Sequence, residues 1–184
     1  EQGDFTTPEQ HIPATGAPGI DWEVCMTMNT TWGFSEHDQA WKTDQTLIQN
    51  LVDIVSKGGN YLLNIGPRGD GSVPGESVQS MKAIGDWMRV NGEAIYGTTA
   101  SRFPSLPWGR STTKDGTLYL HVFDWPGDGE LRVPGLAEPV AQARLLASGK
   151  PLKVVSRDGE TVVTVPAEPP DGVASVIVLE LAGS

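Results

Sequence analysis

Two asparagine side chains stand where an α/β protein would bind a ligand. Asn29 follows one short apolar run and Asn64 lies near the end of another. Because ligands gather at the carboxyl ends of parallel strands, both side chains are predicted to lie at the functional edge of a sheet. The Gly58-Gly59 pair between the two runs is predicted to lie at the opposite, structural edge.

Other chemistries find little support among the polar residues. The three histidines, His11, His37 and His121, lack the spacing of metal ligands, so we expect no metal site. The glycine-rich stretch SKGGN lacks the Lys-Ser/Thr ending of a phosphate-binding loop, and no G-x-S-x-G nucleophile motif occurs. Phosphoryl transfer and serine-hydrolase chemistry are therefore not indicated.

The first hundred residues show the periodicity of alternating strands and helices. Apolar residues alternate over 22–29, which predicts a strand, and helical spacing follows over 46–57 until Gly58-Gly59. The run 60–65 predicts a second strand, apolar enough to be covered on both faces, and 75–90 predicts a second amphipathic helix. This order is typical of α/β organisation.

The pattern changes after the proline-containing segment 101–108, where we place a domain boundary. Alternating apolar residues over 118–122 and 173–181 predict strands, and the Asp-Gly pairs at 115–116 and 158–159 predict hairpin turns. The second half is therefore predicted to be a small antiparallel β-sandwich.

Composition limits the partners. The chain has 184 residues with 13 basic and 23 acidic side chains, a formal net charge of −10, which disfavours nucleic acid and anionic membrane surfaces. The single cysteine, Cys25, excludes an internal disulfide and is predicted to be a buried, inert thiol. We recognise no membrane-spanning stretch and no signal peptide in this sequence.

Several ordered blocks carry a resemblance to a known family. The sequence resembles glycoside hydrolase family 29, the retaining α-L-fucosidases, in GDFTTPEQ, WEVCMTMNTTWGF, LVDIVSKGGNYLLNIGPRGDG and IGDWMRVNGEAIYGT. The resemblance implies that residues 1–100 form the C-terminal part of a (β/α)8-like catalytic barrel and residues 101–184 the β-sandwich. It also implies cofactor-free release of terminal L-fucose from oligosaccharides or glycoconjugates, and it fits a secreted or periplasmic enzyme.

The resemblance also assigns candidate site residues. Retaining hydrolysis needs two carboxyl groups, one a nucleophile and one an acid that later acts as a base. Glu9 matches the family's acid/base position. Glu23 is the competing candidate, although its place near the start of a strand favours a buried structural glutamate. Trp32 matches the position of an aromatic residue against the sugar, and Phe34 is expected at the same rim.

The sequence departs from the family at the nucleophile. The family's Trp-Asn-Asp stretch does not occur, and only two strand-helix units precede the sandwich. Asp4, Glu36 and Asp38 are replacement candidates without motif support, and a partner subunit is another source. An incomplete barrel exposes a sheet edge, so we expect either a homo-oligomer through that edge or support from the sandwich. The alternative functions are a catalytically inactive carbohydrate-binding or structural piece, and a packing module without a ligand.

Overall fold

A computed structural model describes residues 3–182. The chain divides into two compact units, the first ending at residue 89 and the second beginning at residue 90. Antiparallel strands predominate and helices are few. No helix within the described range is long and apolar enough to cross a membrane.

The first unit contains a parallel sheet with the strand order β1-β2-β3. Two helices follow the second and third strands. The bounds of these elements are β1 Phe5–Thr6, β2 Asp21–Thr27, α1 Asp44–Ser56, β3 Asn60–Asn64 and α2 Gly75–Asn91. The predicted order of strands and helices is therefore present in β2, α1, β3 and α2, with each boundary within about two residues of the predicted one, whereas β1 was not predicted.

Helix α1 begins and ends where its terminal residues dictate. The Thr43 hydroxyl caps the first turn by accepting a hydrogen bond from the Thr46 amide. At the other end, Gly58 has a φ of 78°, which an L side chain rarely adopts, and its amide bonds back to Val55 O. Gly59 lies against the indole of Trp22, where a Cβ atom would come within 2.5 Å of the ring. The glycine pair thus stops the helix and makes room for a core tryptophan.

One face of the parallel sheet packs against α1. Trp22, Val24 and Met26 of β2 form a buried cluster with Ile54 of α1. The opposite face is open: Leu62 of β3 is 52% exposed, so the expectation that this strand is covered on both faces is wrong for this chain.

The second unit consists of two antiparallel sheets that share one core. One sheet has the order β4-β5-β10-β7 and the other the order β6-β9-β8. The strands are β4 Gly109–Lys114, β5 Thr117–Val122, β6 Glu130–Val133, β7 Val140–Leu145, β8 Lys153–Arg157, β9 Glu160–Thr164 and β10 Ser175–Leu181. Apolar residues from both sheets, including Leu120, Val133, Val163 and Ile177, form the core. The antiparallel prediction for this half is confirmed.

Both predicted hairpins are present with the expected turn chemistry. Asp115 and Gly116 join β4 to β5, and Asp158 and Gly159 join β8 to β9. All four residues have positive φ angles, which is the type I′ pattern that matches the twist of adjacent strands.

Candidate active site

The carboxyl ends of the three parallel strands bring the candidate residues to one edge of the first unit. Phe5 is in register with Asp21, and Glu9 forms an isolated parallel bridge with Cys25 at the same offset of 16. The segment that contains Glu9 therefore continues along β2 beyond β1. On the other side, Thr27 of β2 pairs with Asn64 of β3.

Glu9 contacts Trp32 through its carboxylate. Trp32 Nε1 donates a hydrogen bond of 2.8 Å to Glu9 Oε1, although 23 positions separate the residues in sequence. The other oxygen, Oε2, has no hydrogen-bond partner within residues 3–182, and the side chain is exposed. One oxygen is thus oriented by a neutral donor, while the other can exchange a proton with a ligand.

Gln10 fixes the backbone immediately after Glu9. Its φ of 57° lies in the left-handed region, and its amide donates to Cys25 O at 2.9 Å. The Gln10 carboxamide contacts both the hydroxyl and the amide of Thr27, donating to Oγ1 at 3.0 Å and accepting from the amide at 3.3 Å. These contacts attach the Glu9 segment to the end of β2. Sequence reasoning missed this role, and no local pattern marks it.

Trp32 lies in the loop between β2 and α1, residues 28–43, which we call the Trp32 loop. Its indole is 41% exposed, so a ring face is accessible to solvent. Asn64 Nδ2 donates a 2.7 Å hydrogen bond to Trp32 O, which attaches the loop to the end of β3. The predicted residues Glu9, Trp32 and Asn64 are therefore linked by direct contacts.

Asn29 and Phe34 have different surroundings. Asn29 is 8% exposed, and its Oδ1 accepts a 3.4 Å hydrogen bond from the Thr31 amide, a local contact that shapes the loop. Phe34 is half-buried, and the guanidinium carbon of Arg68 lies 4.7 Å from the centre of its ring, within cation–π range. Arg68, in the loop after β3, was not predicted to be a site residue from the sequence.

Asp38 and Lys42 hold the Trp32 loop. The Asp38 carboxylate accepts four hydrogen bonds, three from Thr30 and Thr31 and one from the Ala40 amide. The hydroxyl of Thr30 is the main cause that lowers the pKa of Asp38 to about 2. Burial lowers the pKa of Lys42, partly offset by the charge of Asp38. Asp38 was a nucleophile candidate, but its oxygens are committed to the loop.

The other carboxylates lie away from these contacts. Glu23 is partly exposed and pairs in register with Asn60 at the amino end of β3, so it is not the buried glutamate that we expected. Asp4 and Glu36 are exposed. Cys25 is partly exposed instead of buried. No group of three His, Cys, Asp or Glu residues in the described chain is arranged to hold a metal ion.

Several known proteins are similar to this chain in sequence. The profile of the family described as alpha-L-fucosidase matches residues 1–93. A curated alpha-L-fucosidase from Dictyostelium discoideum is 32% identical over 153 residues, which are 80% of this chain and 32% of that protein. Plasma alpha-L-fucosidase from Homo sapiens is 33% identical over 84% of this chain and 35% of its own length. The chain thus spans about a third of the curated relatives' length.

Solved structures match over almost the entire chain. Alpha-L-fucosidase isoenzyme 1 from Paenibacillus thiaminolyticus has a TM-score of 0.91 and 38% identity, covering 97% of this chain and 45% of its own. A Bacteroides thetaiotaomicron enzyme matches with a TM-score of 0.88 and 31% identity, covering 98% of this chain and 44% of its own. That structure is a covalent intermediate trapped with 2-fluoro-fucosyl fluoride in a glutamate-to-glutamine mutant.

Proposed function

This chain belongs to the alpha-L-fucosidase family, and on that premise we propose that it supplies the acid/base side of a retaining exo-α-L-fucosidase site. In this proposal residues 1–100 are the C-terminal part of a (β/α)8-like catalytic barrel, and residues 101–184 are the β-sandwich domain. The substrate is a terminal L-fucose on an oligosaccharide or glycoconjugate. The parallel β1-β2-β3 sheet with its helices supports the barrel assignment.

The hydrogen bond between Trp32 and Glu9 carries the proposal. It brings a glutamate to the carboxyl edge of a parallel sheet beside an exposed indole, and that edge is where barrel enzymes assemble their active sites. An indole face suits the C–H surface and the methyl group of fucose. A general acid must reach the glycosidic oxygen, and the unpartnered Oε2 of Glu9 is available for that contact.

The proposed chemistry is a double displacement in which Glu9 acts twice. In the first step its protonated carboxyl gives a proton to the departing oxygen of the aglycone while a carboxylate nucleophile attacks the anomeric carbon. In the second step ionised Glu9 takes a proton from water, whose oxygen attacks the anomeric carbon and displaces the carboxylate nucleophile, so that fucose is released. The intermediate trapped in the Bacteroides thetaiotaomicron relative is of this kind.

The nucleophile in this scheme comes from residues that this sequence does not contain. The sequence has no Trp-Asn-Asp stretch, which the family resemblance assigns to the nucleophile. The second candidate function is a catalytically inactive carbohydrate-binding or structural piece. The two candidates differ in one measurable property, which is turnover.

The remaining site assignments concern the sugar. We assign Trp32 to the fucose ring and Asn64 to the same surface, because its carboxamide already bonds to Trp32 O. Phe34 and Arg68 form the rim of the site in this scheme. Asn29 contributes through the loop rather than by touching the sugar, since it is buried. Glu23 is kept as the competing acid/base.

The test compares Glu9→Gln with Glu23→Gln on two aryl α-L-fucosides, one with a 4-nitrophenolate leaving group and one with the more basic phenolate. Loss of the general acid should slow the phenyl substrate by about 100-fold or more, and the nitrophenyl substrate much less, because nitrophenolate leaves without a proton. Glu23→Gln should match the wild type. The reverse pattern would assign the role to Glu23.

Fucose binding separates the two functions. If the wild-type chain turns over neither fucoside but binds fucose in an NMR titration, the inactive carbohydrate-binding function replaces the enzymatic one. If it neither turns over nor binds, both ligand-based functions fail for this chain. Trp32→Ala should weaken binding, and Trp87→Phe is a matched control because Trp87 is buried in helix α2.

A further inference from the structure

We propose that Asp38 is a positioning residue for the acid/base glutamate, acting through the Trp32 loop without touching substrate. The inference rests on the proposed function of Glu9. It concerns a different contact, because Asp38 bonds to the arms of the loop on both sides of Trp32, whereas Trp32 bonds to Glu9. Asp38 thus determines where the indole donor lies.

The carboxylate of Asp38 joins two segments of the loop. Its Oδ2 accepts from the Thr30 amide at 2.9 Å, from Thr30 Oγ1 at 2.8 Å and from Thr31 Oγ1 at 3.1 Å. Its Oδ1 accepts from the Ala40 amide at 3.1 Å. Hydrogen bonds to a charged acceptor are stronger than those between neutral groups. The residues directly before Trp32 are therefore tied to the returning arm of the loop.

Lys42 closes the base of the same loop. Its amide donates to Met28 O at 2.8 Å. Its ammonium group donates to Thr27 O at 2.6 Å and to Asn29 O at 2.9 Å. Lys42 thus joins the end of the loop, just before α1, to residues 27–29 at the end of β2. The contacts of Asp38 form a second cross-link nearer to Trp32. With both cross-links present, few backbone torsions remain free between residue 29 and Trp32.

The consequence for Glu9 follows from the position of Trp32. Thr31, whose hydroxyl bonds to Asp38, is adjacent to Trp32, and Asn64 holds the Trp32 carbonyl from the other side. The indole then meets Glu9 at 2.8 Å. A catalytic group has to be held within roughly 0.5 Å of its productive position by surrounding contacts. Because Thr30 lowers the pKa of Asp38 to about 2, this support stays ionised at any pH used for an assay.

The experiment measures the indole proton of Trp32 in ¹⁵N-labelled protein. Its signal is assigned by its disappearance in Trp32→Phe. Asp38→Asn should speed exchange of this proton with water by about tenfold or more, the expected effect of releasing a hydrogen bond to a charged group. Thr30→Val should act in the same direction, while Thr30→Ser keeps the hydroxyl and should restore slow exchange. Asp44→Asn removes the same charge at the start of α1 and should leave exchange unchanged.

The outcomes separate this inference from the proposed function. Unchanged exchange in Asp38→Asn and Thr30→Val would overturn it, since Asp38 would then only close its own turn. If Asp38→Asn does not fold, Thr30→Val decides, because it removes one donor and keeps the backbone contact. Accelerated exchange in a chain that neither binds nor cleaves a fucoside would uphold the loop support and refute the proposed function.

Discussion

Acidification should weaken the β-sandwich through one buried histidine. His121 lies on β5 with no solvent exposure, and burial lowers its pKa to about 4 from an ordinary value of 6.5. Its Nε2 lies 3.0 Å from Thr112 Oγ1, and that hydroxyl donates its only proton to Ala94 O at 2.7 Å. His121 is therefore the donor to Thr112, which requires the neutral tautomer with the proton on Nε2.

The sign and size of the effect follow from these two pKa values. Between pH 6.5 and pH 4 the unfolded chain binds a proton at this histidine and the folded chain does not, so acid favours unfolding. Above pH 6.5 there is no penalty, and below pH 4 it reaches its full value. The values differ by about 2.5, and one pKa unit corresponds to about 1.36 kcal/mol, which gives about 3 kcal/mol in total and about 2 kcal/mol at pH 5.

The assay is hydrogen exchange of β5 and β10 peptides in wild type and His121→Gln at pH 7.5 and pH 5, corrected for the intrinsic pH dependence of exchange. Glutamine can still donate to Thr112 but does not titrate, so subtracting its pH dependence removes the contributions of all other groups. The wild type should lose about 2 kcal/mol more protection than the variant. Equal losses in both proteins would refute the assignment of acid sensitivity to His121.

Two further predictions concern packing. Gly59→Ala should lower the free energy of unfolding by about 1–3 kcal/mol, because the new methyl group would overlap the indole of Trp22. Gly69→Ala is the control and should lower it much less, since no atom lies near its Cβ position. Equal melting temperatures for the two variants would contradict this prediction. Trp108→Phe should destabilise the sandwich by about 1–3 kcal/mol, since the indole donates to Arg132 O at 2.7 Å inside the core, and urea unfolding that matches the wild type would rule this out.

Local features of the sequence predicted the elements well because their causes are local. Gly58 ends α1 through its own positive φ, and the Asp-Gly pairs form their turns through their own backbone angles. The buried face of α1 was harder to predict. Apolar residues at 47, 48, 51, 52, 54 and 55 form two overlapping stripes, and the structure buries Leu47, Ile48, Val52 and Ile54 but leaves Leu51 and Val55 only partly buried. Only the neighbouring sheet distinguishes these stripes.

Some residues of the candidate site were identified from the sequence, and others were not. Glu9, Trp32 and Asn64 were found through a family resemblance and through their places after strands, and direct contacts link them. Gln10 and Asp38 were not recognised as supports. These two residues support the site through hydrogen bonds that form only when segments separated in sequence come together. The spacing of residues along the sequence does not indicate which of these bonds form.

The open face of β3 shows why burial was misread from the sequence. The apolar run in β3 has the composition of a strand covered on both sides, yet Leu62 is 52% exposed, because exposure depends on everything that packs against a strand. The contacts that position Glu9 do not depend on that face. They arise from the register with Cys25, the side chain of Gln10 and the Trp32 indole, all of which lie within one unit. The contact between Trp32 and Glu9 can therefore be tested on this chain whether or not its open face is covered.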